Sequence, residues 1–99
     1  MKTQGSLIQI VRFKTTLSEE ALLRVAKERE PMFRAITGIV QKYYIKLGKN
    51  EYGGVYIWDS KTSFDDYKKS KLAATIAEAY QVTGQPKIEV MEILFNLRE

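Results

Sequence analysis

The order in which the hydrophobic period changes along this chain constrains its fold more than any other sequence feature. Segments typical of strands, rich in β-branched and aromatic residues, lie at about 6–13, 39–47, 54–59 and 87–97. Apolar residues recur at helical spacing at about 18–30 and again between Ser60 and Tyr80. This order predicts an α+β fold, ferredoxin-like βαββαβ, with a four-stranded antiparallel sheet. The length of 99 residues fits one such domain, 1–99.

Local signals mark the ends of several elements. Ser18 is predicted to cap the first helix, and Pro31 is predicted to end or kink it because proline has no amide to donate. A last turn through Phe33 and Arg34 is the alternative to an end at Pro31. Residues 48–50, Gly-Lys-Asn, are predicted to join the two central strands as a hairpin. The second helix is expected to break near Ser70 and to end before Pro86.

The predicted strands are apolar on both faces. In the last strand Val90 and Leu94 share one parity, while Met91, Ile93 and Phe95 share the other. A lone sheet with helices on one side needs only one apolar face. The chain has no further element to cover the second face, so we predict a homodimer with apposed sheets, a dimeric α+β barrel.

The composition excludes several classes of chemistry. With no cysteine and no histidine there is no disulfide framework, no thiolate or imidazole metal site and no histidine base. No apolar run reaches the roughly 18 residues that a membrane span needs, so we expect no membrane partner and a cytoplasmic location. The net charge of +4 is spread along the chain without a dense basic block.

An RNA-recognition domain is an alternative because it has the same order of strands and helices. Its third strand requires aromatic residues around a glycine, to stack on bases. The segment YGGVYIW has Gly54 and Ile57 where those rings would stand. We therefore expect no nucleic-acid partner.

Aromatic residues concentrate in the hairpin and in the segment that follows it. A sheet covered by helices on one side and by a partner on the other can enclose an aromatic pocket for a small ligand. The residues predicted to bind a small aromatic substrate there are Tyr44, Tyr56, Trp58 and Phe64. Packing in the core is the alternative role for each of them. For Trp58, the one tryptophan, the sequence leaves open whether it packs in the core or lines the site.

Two charged residues interrupt apolar strand faces. Arg12 shares its parity with Ile10, and Lys42 shares its parity with Tyr44. An unpaired charge on such a face is costly, so each residue pairs with an opposite charge, emerges at an edge or faces a ligand. In the last case Arg12 or Lys42 would hold an oxyanion such as a phenolate or enolate.

Three segments, GIVQKYY, YGGVYIWDSKTSFDDY and KLAATIAEAY, resemble the YdhR-like monooxygenase family. That family lies in the dimeric α+β barrel superfamily, together with the antibiotic-biosynthesis monooxygenases. The resemblance covers about Leu17 to Arg98. It implies the fold predicted above, a homodimer, and oxygenation of an electron-rich aromatic molecule by O2 without a metal, flavin, haem or other cofactor.

The wider superfamily often has a tryptophan, a phenylalanine six residues later and a histidine three residues beyond. Trp58 and Phe64 match this pattern, but Tyr67 stands in the place of the histidine. This departure argues against a haem role, in which the histidine binds iron. A tyrosine pKa near 10 makes Tyr67 a poor base, so we expect it to donate a hydrogen bond to the ligand.

A non-catalytic dimeric binding protein or an isomerase-like protein on the same scaffold is the remaining alternative. Fold does not determine function, and binding and oxygenation would use the same aromatic walls and the same cation. The sequence does not separate these two readings.

Overall fold

The computed structural model describes residues 5–98. Its elements, in chain order, are β1 (Leu7–Thr15), α1 (Glu19–Arg34), β2 (Ile39–Gly48), β3 (Glu51–Trp58), α2 (Lys61–Lys68), α3 (Lys71–Ala74), α4 (Ile76–Ala79) and β4 (Val82–Glu92). The strands form one antiparallel sheet in the order β2-β3-β1-β4. The predicted ferredoxin-like α+β fold is confirmed. No helix within the described range has the length and apolar character to cross a bilayer.

The helices cover one face of the sheet, and two groups of buried residues fill the space between. The first group comprises Leu7, Phe33, Tyr56, Trp58, Phe64 and Tyr67. The second comprises Phe13, Leu22, Ala26, Tyr52 and Tyr80. Successive strand side chains point to opposite faces, so alternate residues of β1 and β3 supply the sheet's share of this core. The core is unusually aromatic, which gives it several hydroxyl groups to satisfy.

Helix α1 begins where the sequence predicts and ends later. The Ser18 hydroxyl accepts a hydrogen bond from the amide of Ala21 at 3.1 Å, as expected of an N-cap. The helix runs through Pro31 to Arg34, so the predicted end at about residue 30 is wrong and the alternative of a last turn through Phe33 and Arg34 is confirmed. Pro31 lies on the exposed side, and the following turn closes through a bond from Ala35 N to Pro31 O at 3.1 Å.

The second helical segment is divided into three short helices. Ser70 caps α3 by accepting a hydrogen bond from the amide of Ala73 at 3.2 Å. The chain turns at Lys69, between α2 and α3, and the predicted break near Ser70 is confirmed.

Strand β3 starts at Glu51, three residues earlier than predicted, so the hairpin turn is only Lys49 and Asn50. Asn50 takes the left-handed φ of 60° that so tight a turn requires. Gly53 lies within the strand, where an added Cβ would collide with the carbonyl oxygen of Val11. Its role is to allow β1 and β3 to approach closely.

Strand β4 spans residues 82–92, so the prediction of 87–97 is wrong at both ends. The strand can begin before Pro86 because β4 lies at the edge of the sheet, beside β1. Its pairing with β1 shifts between Arg12 and Lys14, and at such an irregularity the missing amide of Pro86 is tolerated. It ends at Glu92 because that residue lies opposite Leu7, the first residue of β1. Leu94 beyond it is 92% exposed.

Within residues 5–98 no helix lies on the second face of the sheet, although this face is rich in apolar residues. The apolar residues of this open face are Ile8, Ile10, Tyr43, Val55, Ile57 and Met91. Tyr43 is 54% exposed and Met91 is 42% exposed. The sheet is therefore apolar on both sides, and the homodimer that would cover the open face stays a prediction.

Candidate functional site

The candidate site begins on the helix-covered face of strand β2. Lys42 lies opposite Tyr56, and Tyr44 lies opposite Gly54. Alternate strand residues share a face, so Lys42, Tyr44 and Tyr56 all point toward α1, where Phe33 is buried.

The ammonium group of Lys42 is enclosed by three aromatic rings. Its Nζ lies 3.3 Å from the centroid of the Phe33 ring and 4.5 Å from the centroids of both Tyr44 and Tyr56. Lys42 forms none of the ion pairs found among residues 5–98. We call Lys42, Phe33, Tyr44 and Tyr56 the lysine cage.

Burial lowers the pKa of Lys42 to about 7, and the nearby charge of Arg29 contributes in the same direction. The rings act against this lowering, because a cation–π contact favours the charged form. Lys42 is thus a lysine for which the neutral amine is accessible near neutral pH. An amine of that kind can accept a proton from a ligand, and its ammonium form can hold the resulting anion.

Two spaces meet at the lysine cage. The outer cavity, of about 290 Å³, is open to solvent and is lined by Phe33, Lys42 and Tyr44, with Glu30 and Arg34 also in its wall. The inner void is much smaller, about 30 Å³. Residues from both core groups line it, namely Val11, Phe13, Leu22, Lys42, Tyr44, Ile45, Tyr52, Gly53, Gly54, Tyr56, Ile76 and Tyr80. Lys42 and Tyr44 border both spaces.

Gly54 helps to keep the inner void open. A Cβ at this position would lie 3.2 Å from Cε1 of Tyr56 and 3.7 Å from Cε of Lys42. Tyr80 also lines the void, and its hydroxyl is buried with no hydrogen-bond partner among the described residues. Burial raises the pKa of Tyr80 to about 12, so the group remains a neutral phenol able to donate.

Trp58 packs in the core behind the cage. It is fully buried, its ring stacks on Tyr56 at 6.0 Å with an interplanar angle of 2°, and its Nε1 donates to Oε1 of Gln9 at 3.0 Å. Phe64 packs on Trp58 with ring centroids 6.0 Å apart. Neither residue lines the outer cavity or the inner void, so both support the cage rather than form its surface.

Tyr67 packs between the core and a third cavity. Its ring centroid is 5.1 Å from that of Trp58 and 5.9 Å from that of Tyr56. The third cavity, of about 370 Å³, is lined by Tyr67, Ser63 and other residues from α2 and the α1–β2 connection. The Tyr67 hydroxyl is buried without a partner in the described part of the chain, and burial raises its pKa.

Arg12 lies on the open face of the sheet and is not brought to the lysine cage. Its guanidinium pairs with Glu89 at 3.4 Å, which is the pairing alternative left open by the sequence. Arg12 lies between Val11 and Phe13, whose side chains line the inner void. Successive strand side chains point to opposite faces, so the side chain of Arg12 points away from the cage.

Two residues near the cage were missed at the sequence level. Phe33 and Arg29 continue the buried stripe of α1 that begins with Leu22 and Ala26, at spacings of three or four residues. Arg29 donates to the Leu72 carbonyl oxygen at 2.9 Å, while its Nε is buried without a partner among the described residues. The helical period and the alternative of a last turn through Phe33 and Arg34 were the available signals, but neither indicated a role at the cage.

Across residues 5–98 no cluster of acidic side chains is arranged to hold a metal ion. Models of known protein families give no match to the chain. Curated protein sequences give no match either.

Solved structures with the same fold are numerous. The NE2512 protein of unknown function from Nitrosomonas europaea matches at 22% identity and a TM-score of 0.78, over 95% of this chain and 94% of that chain. SnoaB, a cofactor-independent oxygenase from Streptomyces nogalater, matches at 14% identity and a TM-score of 0.75, over 97% and 100% of the two chains. A monooxygenase from the gene ActVA-Orf6 of Streptomyces coelicolor, in complex with Nanaomycin D, matches at 13% identity and a TM-score of 0.71, over 96% and 93%.

These comparisons identify the class of fold. The chain has the fold of the antibiotic-biosynthesis monooxygenases. Identities of this size establish a shared fold alone. Membership of the YdhR-like family stays a prediction.

Proposed function

We propose that the protein is a cofactor-independent monooxygenase that binds a small hydrophobic aromatic substrate, phenolic or polycyclic, in the outer cavity beside the lysine cage. The observation that carries the proposal is Lys42, a half-buried lysine whose ammonium lies against three aromatic rings. Its pKa is lowered to about 7, and it stands at the wall of a cavity of about 290 Å³. The shared fold with SnoaB, described as a cofactor-independent oxygenase, supports it by analogy.

In the proposed reaction Lys42 acts first as a base and then as a cation. Its neutral amine takes a proton from the acidic O–H or C–H of the substrate, and the ammonium then stabilises the phenolate or enolate. The electron-rich anion reduces O2. Written for the keto form of the substrate, one oxygen atom becomes a new carbonyl at the ring CH2 group, and the other leaves as water with the two hydrogens of that group.

The remaining predicted residues take supporting roles in this proposal. Phe33 and Tyr44 provide the ring surfaces of the outer cavity. Trp58 and Phe64 hold Tyr56 and so keep the cage rigid. Tyr67, with its buried hydroxyl, is proposed to donate a hydrogen bond to a ligand that reaches the cage.

The proposal includes a homodimer formed through the open face and the cytoplasmic location predicted from the sequence. Exposed apolar residues on the open face, such as Tyr43 and Met91, support the dimer. Arg12 and Glu89 would lie in this interface, because their ion pair is on the same face.

Oxygen uptake with a panel of phenols, naphthols and anthrones tests the proposal. Lys42→Met keeps the length of the side chain and removes the base, so we expect the rate to fall at least about 100-fold, the size of a general-base contribution. Lys49→Met, in the exposed hairpin turn, is the matched control and should keep its rate. Saturable binding without oxygen uptake would instead favour the non-catalytic binding protein, and equal rates in both variants would remove Lys42 from the reaction.

A further inference from the structure

We propose that the inner void is a subsite for one hydroxyl or carbonyl oxygen of the ligand, with Tyr80 as its hydrogen-bond donor. This inference rests on the proposed function in one respect, since it assumes that the ligand ring lies in the outer cavity. It adds the substrate class: a flat aromatic molecule with a single oxygen at the end that enters the void.

The size and position of the inner void fit one small group. A volume of about 30 Å³ exceeds the roughly 10–15 Å³ that one water requires, yet it is far too small for a ring. Lys42 and Tyr44 separate it from the outer cavity. A ring against Phe33 and Tyr44 could therefore extend one substituent past Lys42 into the void.

Tyr80 lines the void, and its buried hydroxyl has no hydrogen-bond partner among the described residues. The residue is 5% exposed. Its position is held by Phe13, with ring centroids 5.6 Å apart, and by Thr15, whose hydroxyl donates to the Tyr80 carbonyl oxygen. A buried donor without an acceptor is costly, and a ligand oxygen would remove that cost.

The rest of the lining limits which oxygen groups fit. Val11, Phe13, Leu22 and Ile76 present apolar side chains to the void. A carboxylate or sulfonate brings a full charge and two or three oxygens, which this small and mostly apolar space cannot hydrate. A phenolic hydroxyl or a ketone brings one oxygen and matches one donor.

Tyr80→Phe tests the inference with a matched pair of probes, 2-naphthol and 2-methylnaphthalene, which differ by a hydroxyl against a methyl group. Dissociation constants come from the emission of Trp58, the one tryptophan, corrected for absorption by the probe. We expect Tyr80→Phe to weaken 2-naphthol about tenfold, as for one buried hydrogen bond of about 1.4 kcal/mol, and to leave 2-methylnaphthalene unchanged. Tyr43→Phe, on the exposed open face, should change neither constant.

A second variant, at Gly54 of strand β3, tests the same void. Gly54→Ala places a methyl group against Tyr56 and Lys42, and we expect it to weaken 2-naphthol while circular dichroism remains that of the folded protein. We also expect 2-naphthoate to bind more weakly than 2-naphthol to the unmodified protein.

Equal weakening of both probes in Tyr80→Phe, or no weakening of either, would overturn the subsite. Tighter binding of 2-naphthoate than of 2-naphthol would overturn the stated substrate class. These outcomes are separate from oxygen uptake. If the preference for 2-naphthol is lost in Tyr80→Phe but no oxygen uptake is found, the subsite is supported and the monooxygenase is contradicted. If oxygen uptake is found without any preference for 2-naphthol, the monooxygenase is supported and the subsite is contradicted.

Discussion

At the scale of a single residue, the burial of Lys42 couples the stability of the protein to pH. Its pKa is lowered to about 7 in the folded state, while in the unfolded chain it returns to about 10.5. Between these two values the unfolded state binds a proton that the folded state lacks. The free energy of unfolding should therefore rise with pH across this window, and below about pH 7 the cost of burying the charge is fully present.

We predict that urea unfolding between pH 6 and pH 9 will show this rise, with a slope of at most about 1.4 kcal/mol per pH unit. Lys42→Met should flatten the profile and be the more stable protein at pH 7, because no charge is buried. The range stops at pH 9 because above it the tyrosines of the unfolded chain begin to ionise. The buried tyrosines have raised pKa values and keep their protons in the folded state, so the free energy of unfolding then falls with pH.

Lys49→Met, in the hairpin turn, serves as the control and should keep the slope of the unmodified protein. Parallel profiles for Lys42→Met and the unmodified protein would show that Lys42 remains an ammonium throughout, held by the rings of Phe33, Tyr44 and Tyr56.

At the scale of the elements, the sequence predicted which helices and strands exist better than where they end. Ser18 and Ser70 act locally, through the amides of residues three positions later, so the cap at Ser18 and the helix break near Ser70 could be predicted from the sequence. The ends of β4 depend on where β1 runs beside it, and the continuation of α1 depends on Phe33 reaching the core. Such contacts join residues that are distant in the chain, and no local pattern contains them.

The close approach of β1 and β3 at Gly53 leads to a prediction at this scale. Gly53→Ala should lower the free energy of unfolding by about 1–3 kcal/mol, because the new methyl group meets the carbonyl oxygen of Val11 between two paired strands. Chemical denaturation measures the change. Gly48→Ala is the control, since nothing lies within 4 Å of its added Cβ, and equal effects of the two substitutions would contradict the steric explanation.

At the scale of the whole molecule, the sequence predicted the two apolar faces of the sheet but left open what surrounds the two charged residues that interrupt them. Apolar residues at both parities of the strands showed that both faces of the sheet are apolar, and the sequence also showed that Arg12 and Lys42 interrupt these faces. It could not show which face the helices cover. Only the packed structure separates Lys42, inside the cage, from Arg12, beside Glu89 on the open face.

The open face leads to a prediction about assembly. Val55→Glu puts a charge at the centre of the proposed dimer interface, so we expect sedimentation to show a monomer where the unmodified protein is a dimer. A stable interface would bury about 800 Å² on each copy. Leu23→Glu, at an exposed position of α1, should leave the dimer intact. A monomer in the unmodified protein at micromolar concentration would contradict the proposed assembly.

The buried tyrosines have a further consequence for a protein that brings O2 to an electron-rich ligand. A phenolate gives up an electron far more readily than a phenol, so ionised tyrosines would compete with the ligand and damage the protein. Burial raises the pKa of Tyr56, Tyr67 and Tyr80, so all three stay phenols to a higher pH than an exposed tyrosine does. In the proposed reaction the ligand would lose its proton beside Lys42 while the surrounding tyrosines keep theirs. Burial of these tyrosines would then protect the protein from oxidation during the proposed reaction.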